Sequence, residues 1–217
     1  MRKLTSYPHP TNTMPRSFSH ITPRYVFDRL GVILHEKIYP ANPWLTAKSV
    51  ELLTQLLKPS DVGVEFGSGR STVWFAKHLR HLTSVEDNQI WYGKVKSLLR
   101  SNDLADKVDY RLLEDEAAYA QQAESFSNES IDFCLVDGIA RDKCALGMLP
   151  KLKPGAILVI DNVNLYLPND NSKSPNTRRK NEGGANDLWN TFLVNTQGWR
   201  QIWTSNGVTD TCIFFKP

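Results

Sequence analysis

Between Val62 and Asp161 the sequence alternates short apolar runs with segments of helical spacing, and few folds accommodate that order. The runs VGVEF (62–66), HLTSVE (81–86), VDYRLL (108–113), IDFCLVD (131–137) and GAILVID (155–161) read as strands. Between them, STVWFAKHLR (71–80), IWYGKVKSLLRS (90–101), EAAYAQQAESF (116–126) and RDKCALGMLPKL (141–152) read as helices. A strand, a crossover helix and a second parallel strand pack with one hand only. The repeat therefore predicts right-handed βαβ units in a doubly wound α/β sheet. The near-continuous apolar character of 155–161 suits the buried middle of a parallel sheet.

The flanks break this rhythm. Residues 1–24 hold four prolines among Ser, Thr and Asn and read as an irregular arm. Helical spacing over 25–39 and 42–58 predicts two N-terminal helices, the second ended by Pro59. Residues 162–187 are polar, interrupted by Pro and Gly, and read as a long loop of the lid or mobile kind. Residues 188–195 resume as a helix, and 199–205 and 209–215, separated by NGV, read as a hairpin. The expected fold is a Rossmann-like seven-stranded sheet, mostly parallel with an antiparallel C-terminal hairpin strand and helices on both faces. The expected organisation is an arm (1–24) and one domain (25–217). That domain divides into N-terminal helices (25–60), a cofactor-binding half (61–161), the acceptor loop (162–187) and a terminal helix with hairpin (188–217).

The turn in VGVEFGSGRSTV (62–73) decides what such a sheet can hold. No GK[ST] follows the glycines, which excludes a triphosphate loop. In the dinucleotide fingerprint G-x-G-x-x-G the third glycine is here Thr72, which weakens NAD binding without excluding it. Glu65 precedes the turn, and Glu86 ends the next strand, 19 residues after Gly67. A carboxylate there can accept both ribose hydroxyls of an adenosine laid across the strand tips. The plain alternative for Glu86 is a surface acid beside Asp87.

Glu65-x-Gly67-x-Gly69, followed by an acid ending the second strand, resembles the class I S-adenosylmethionine-dependent methyltransferases. FCLVDG (133–138) is similar to that family's fourth motif and LKPGAILVIDNV (152–163) to its following strand, with Ala156 where a second glycine is common. The terminal helix and hairpin match its antiparallel seventh strand, so the resemblance spans residues 44–217. It implies S-adenosylmethionine as cofactor. Gly67 and Gly69 would admit its methionine part, Glu65 would take the ammonium, and Ser68 and Ser71 would offer short-range hydrogen bonds. Glu86 would hold the ribose. Glu114 and Asp115 are candidates for the adenine amino group or, equally, helix N-terminal acids.

Asp137, Asp161 and Asn162 would bring hard oxygen ligands together at neighbouring strand tips, suited to Mg²⁺ or another divalent cation. The trio is similar to the metal set of the catechol O-methyltransferase-like branch, where the metal holds the acceptor hydroxyl and lowers its pKa. That branch's lysine, three residues after the first aspartate, is here Ala140, followed by Arg141. Asp137, Asp161 and Arg141 are the candidate catalytic residues; without a metal, Asp137 would touch cofactor or acceptor directly. The implied activity is methyl transfer to a hydroxyl oxygen of a small molecule. An NAD-dependent oxidoreductase and a non-catalytic cofactor-binding module are the rival readings.

Trp44, Trp91, Tyr92, Tyr166 and Trp189 are candidate acceptor walls or core aromatics. Lys173, Arg178, Arg179 and Lys180 form a basic cluster in the loop, for an acidic acceptor or simply for solvent. The net charge of +3, with no basic stripe, argues against a nucleic-acid partner. Three cysteines without CxxC or paired spacing suggest a reducing compartment and no zinc site. With no apolar leader and no window near the ~18 apolar residues of a membrane span, the expectation is a cytoplasmic protein off the membrane, with a homodimer as one assembly.

Overall fold

The computed structural model of the protein describes residues 21–217. The arm expected over 1–24 lies outside the described residues except at its end, where helix α1 (Pro23–Ile38) has already begun. Its start is earlier than the spacing indicated because Thr22 caps it, the hydroxyl accepting from the Tyr25 amide. Pro23 in the first turn costs no hydrogen bond. Helix α2 (Ala47–Leu56) is shorter than 42–58, since its cap is Thr46 and the chain through Pro43 stays outside the helix. No residue of α1 is buried, and Val26, Phe27, Leu30, Leu34 and Ile38 lie exposed along it.

Seven strands form one sheet: β1 (Val62–Phe66), β2 (His81–Glu86), β3 (Val108–Leu112), β4 (Ile131–Val136), β5 (Leu152–Asp161), β6 (Arg200–Ser205) and β7 (Asp210–Phe215). Their order is β3-β2-β1-β4-β5-β7-β6. The first five pair in parallel, and β7 runs antiparallel between β5 and β6. The crossovers are α3 (Arg70–His78), α4 (Gln89–Ser101), α5 (Glu116–Gln121) and α6 (Arg141–Met148), and α7 (Asp187–Asn195) leads into β6.

Side-chain alternation along each strand divides the core between the two faces. Phe133 and Leu135 of β4 pack with Leu53 of α2, Phe75 of α3 and Val95 of α4. Cys134 and Val136 pack on the other face with Tyr119 of α5, Met148 of α6 and Phe192 of α7. All three cysteines are buried free thiols. The chain winds outward through β1, β2 and β3 in one direction and through β4 and β5 in the other. The crevice between the C-terminal tips of β1 and β4 is therefore the switch point where such sheets take ligands.

The 162–187 loop is not the structureless lid the composition suggested. It holds two short 3-10 turns (Val163–Leu165 and Lys180–Glu182) and a bridge between Pro168 and Arg178. Buried Asp210 at the start of β7 anchors it, accepting from the hydroxyls of Ser172, Ser174 and Thr177 and from the Trp203 indole. Asn164 ties the loop down from within: its side-chain carbonyl accepts from the Asp210 amide, and its backbone carbonyl from Arg178 N.

Candidate functional site

The turn after β1 brings two buried carboxylates together from neighbouring strands. Glu65 has no solvent exposure. The parallel register sets it beside Ser84 of β2, and its Oε2 accepts at 2.6 Å from both the Ser84 and Thr72 hydroxyls. Thr72 in turn accepts from the Gly69 amide at 2.9 Å. The residue that replaces the third fingerprint glycine is thus the bracket between Glu65 and the turn. Glu65 Oε1, equally buried, has no partner in hydrogen-bonding geometry, although the Ser71 hydroxyl stands close enough to the carboxyl to oppose the rise of its pKa. Burial pushes this carboxyl up to about 7, opposed by the hydroxyls of Ser71, Ser84 and Thr72.

Glu86 closes the other side. Its Oε2 accepts from the amide and hydroxyl of Ser68, and its Oε1 from the Asn88 amide. Burial raises its pKa, and the Ser68 hydroxyl resists that rise. Glu86 is therefore no stray surface acid; it stitches the tip of β2 to the turn and keeps acceptor lone pairs to spare. Ser68 also shares a hydrogen with the Tyr110 hydroxyl, so its own hydroxyl is spoken for within the protein. Trp91 completes the enclosure, its indole donating to the Ser68 carbonyl at 2.7 Å while it stacks against Trp44.

The two glycines differ in purpose. Gly67 has φ +93°, and a Cβ there would sit 2.5 Å from the Gly138 amide nitrogen. Its missing side chain lets the tips of β1 and β4 touch. At Gly69 a Cβ would meet nothing closer than 3.8 Å, which leaves open space on that side of the turn.

Across the switch point the chemistry is different. Arg141 at the start of α6 donates through Nε to the Gly138 carbonyl, through Nη1 to Asp161 O and Asn162 Oδ1, and through Nη2 to Asp137 O. A 3.0 Å ion pair joins Nη2 to Asp137 Oδ1. A guanidinium has five N–H donors, and these acceptors use them all. Asp161 is almost fully buried, accepts from the Thr211 hydroxyl at 2.6 Å, and is pushed upward by burial and by the neighbouring Asp137 charge. Ala140 and Asn162, beside Arg141's acceptors, sit in the left-handed region at φ +44° and +51°.

This arrangement corrects the metal expectation. Asp137, Asp161 and Asn162 do converge, but the guanidinium of Arg141 already stands among them. It uses Asn162 Oδ1 and Asp137 Oδ1 and places a positive charge where a divalent cation would need none. The trio does not fit Mg²⁺. Among the described residues, no group of three or more His, Cys, Asp and Glu side chains could hold a metal either. Every N–H of Arg141, one of the expected catalytic residues, points to an acceptor within the protein.

Two further expected residues fall elsewhere. Asp115 caps α5, accepting from the Ala118 amide at 2.8 Å, and Glu114 next to it is exposed. Arg178 turns into its own loop, onto the Gly183 and Glu182 carbonyls, so the basic cluster does not converge. Tyr166 and Trp189 stack in the core.

Residues 64–163, just under half of the chain, match the family described as a methyltransferase domain. The fold is shared with an O-methyltransferase from Bacillus cereus solved with S-adenosylhomocysteine, at a TM-score of 0.58 and 16% identity over 88% of this chain and 91% of that one. It is shared too with the O-methyltransferase TomG from Streptomyces achromogenes, solved with S-adenosylmethionine, at 0.58 and 18% over 90% and 91%. A methyltransferase from Geobacter sulfurreducens aligns at 0.55 and 16% over 94% and 91%. The chain has the fold of these methyltransferases. Curated protein sequences provide no match. In this fold the Gly67–Gly69 turn and Glu86 stand at the switch point between β1 and β4, and nothing favours the NAD alternative. The sequence reading noted Thr72 only as a missing glycine and passed over Ser84; the available signal was two hydroxyls interrupting otherwise apolar runs around an acidic strand end.

Proposed function

We propose that the protein transfers the methyl group of S-adenosylmethionine to a hydroxyl oxygen of a small-molecule acceptor. The carrying observation is Glu65 Oε1, a buried carboxylate oxygen without a partner at the glycine turn of the switch point. A buried charge needs a counter-charge, and the ammonium of the cofactor's amino-acid part is one. Glu86, with free lone pairs, takes the ribose hydroxyls. The cofactor supplies a sulfonium methyl for in-line displacement. The protein's part is alignment, a proximity effect worth several kcal/mol.

Arg141 fixes the tips of β4 and β5, so that Asp137, with its side chain 29% exposed, is the reachable carboxylate on the acceptor side. It would take the hydroxyl proton as the new C–O bond forms. Because Arg141 holds the place of a cation, no metal step is part of this reading.

Calorimetric titration with S-adenosylhomocysteine, NAD in parallel, is the test. Micromolar binding of the first alone is expected, followed by turnover of hydroxylated acceptors that survives EDTA. Binding of NAD alone overturns the reading. For assembly we propose a homodimer through the exposed apolar residues of α1, to be checked by light scattering. A cytoplasmic location fits the free thiols, and no described helix is long and apolar enough to cross a membrane.

A further inference from the structure

A groove of about 570 Å³ begins at Gly69 and Arg70 and follows α4 from Trp91 to Ser101, about 15 Å of helix at 1.5 Å per residue. Neither Glu65 nor Glu86 lines it, so it is separate from the two-carboxylate site. Its body is apolar: Trp91, Val95 and Leu98, the last 45% exposed. The two serines on its border spend their hydroxyls on the helix, Ser97 donating to the Gly93 carbonyl and Ser101 to the Leu98 carbonyl. The Gly69 amide is spent on Thr72.

Two cations are left. Arg70 Nη1 is buried without a hydrogen-bond partner. Among the described residues neither Arg70 nor Lys94 is in an ion pair. Each rests on an indole: Arg70 Cζ lies 4.9 Å from the Trp44 ring centroid and Lys94 Nζ 5.4 Å from that of Trp91, and the two rings stack. A ring face holds a cation in place and leaves its N–H donors to another acceptor. Neither α3 nor α4 contains an Asp or Glu, so these helices offer the pair no anion of their own. Apolar lining with a few charged groups is how proteins hold small amphipathic molecules. The charge selects an anion, and Val95 and Leu98 suit an aliphatic chain. A bilayer is the poorer match, because the large apolar side chains that α4 exposes are Ile90 and Leu98, few for a helix lying in an interface.

We infer that this groove binds an aliphatic carboxylate, its head on Arg70 and Lys94 and its chain along Trp91, Val95 and Leu98. The site goes beyond the methyl-transfer reading and does not depend on it.

The test is calorimetric titration of the full chain with decanoate, kept below micelle formation, against decanol, decylammonium and acetate. Decanoate should bind, decanol and acetate about tenfold or more weakly, the range of one charge-assisted hydrogen bond, and decylammonium not at all. Added salt should weaken decanoate more than decanol. Lys94→Glu should weaken decanoate about tenfold or more and leave decanol unchanged, whereas Leu98→Gln should weaken both. Both side chains are exposed, so the variants should keep the wild-type urea midpoint. Helix α1 also exposes apolar side chains, and Leu34→Gln there should leave decanoate binding unchanged. Equal affinity for decanoate and decanol overturns the site, as does a loss of binding in the α1 variant with the α4 variants unaffected. Absence of decanoate binding overturns it too, and if vesicles of phosphatidylglycerol then bind where decanoate does not, this face of α4 docks on membranes instead.

Discussion

The two sides of the switch point contain similar residues and use them in opposite ways. On the β1–β2 side, buried Glu65 has an oxygen, Oε1, and half-buried Arg70 a nitrogen, Nη1, without a hydrogen-bond partner. On the β4–β5 side, Arg141 meets an acceptor with every N–H it has, and Asp161 is bonded to Thr211. A buried polar group left open costs free energy that only a ligand returns, whereas a closed network is structure. The difference separates a ligand site from the frame that supports it, although both are rings of charge at strand tips.

The sharpest way to break that contrast is to open the closed side. Arg141→Met keeps the volume but leaves buried Asp161 and half-buried Asp137 beside each other without a counter-charge. Removing one partner of a buried ionic network costs about 3–5 kcal/mol, so the variant should lose that much stability in urea unfolding. Because Ala140 and Asn162 hold left-handed backbone beside Arg141's bonds, the tips of β4 and β5 should also loosen, seen as faster amide exchange there. A variant as stable as the wild type would mean that Arg141 has no structural role and is free for catalysis after all.

Closing the open side should have the reverse sign. Glu65 has its folded pKa at about 7 against an ordinary 4.5. Below pH 4.5 the carboxyl is protonated in both states and costs nothing. Between 4.5 and 7 the unfolded chain ionises while the folded chain retains its proton, so stability falls as pH rises. Above 7 the loss is complete, up to about 3 kcal/mol. Glu65→Gln should abolish this slope, and comparison of urea midpoints at pH 5 and pH 8 for the two proteins reads it directly. The same variant should bind S-adenosylhomocysteine more weakly by about 1.5–3 kcal/mol at pH 8, the range for a hydrogen bond to a charged group. At pH 5.5, where the wild-type carboxyl is itself protonated, the gap should narrow. Greater stability with poorer binding in one substitution is the signature of an unspent group; if both properties fall together, Glu65 is scaffold.

Much of the fold was legible because it depends on patterns that repeat. Five apolar runs separated by helical spacing lead to one parallel sheet, and Glu65, Gly67 and Glu86 sit where a strand-to-turn reading puts them. What stayed hidden depends on where a side chain's hydrogen bonds go. Asp137, Asp161 and Asn162 lie at neighbouring strand ends, but nothing in their spacing tells that Arg141 stands among them. Thr72 looked like a defect in a glycine fingerprint and is instead the bracket that holds Glu65. The polar composition of 162–187 suggested mobility, while Asp210, far along the chain, supplies the anchor for three of its hydroxyls.

Asp115 offers the smallest effect and tests where the ligand side ends. Its position after β3 suits a contact with adenine as well as a helix cap, and the structure has it accepting from Ala118 N. As a cap, Asp115→Ala should cost about 0.5–2 kcal/mol of stability and leave S-adenosylhomocysteine affinity within twofold. Asp115→Asn, which keeps the capping oxygen, should restore the stability. As an adenine ligand, it would instead reduce affinity in the alanine variant with stability hardly altered. The helix it caps, α5, carries Tyr119, whose hydroxyl would lie 2.0 Å from a Cβ at Gly138. Fraying at Asp115 therefore reaches the β4 tip by packing before it reaches any bound nucleoside. A measurable loss of stability with unchanged binding would place the boundary of the open region at Glu86.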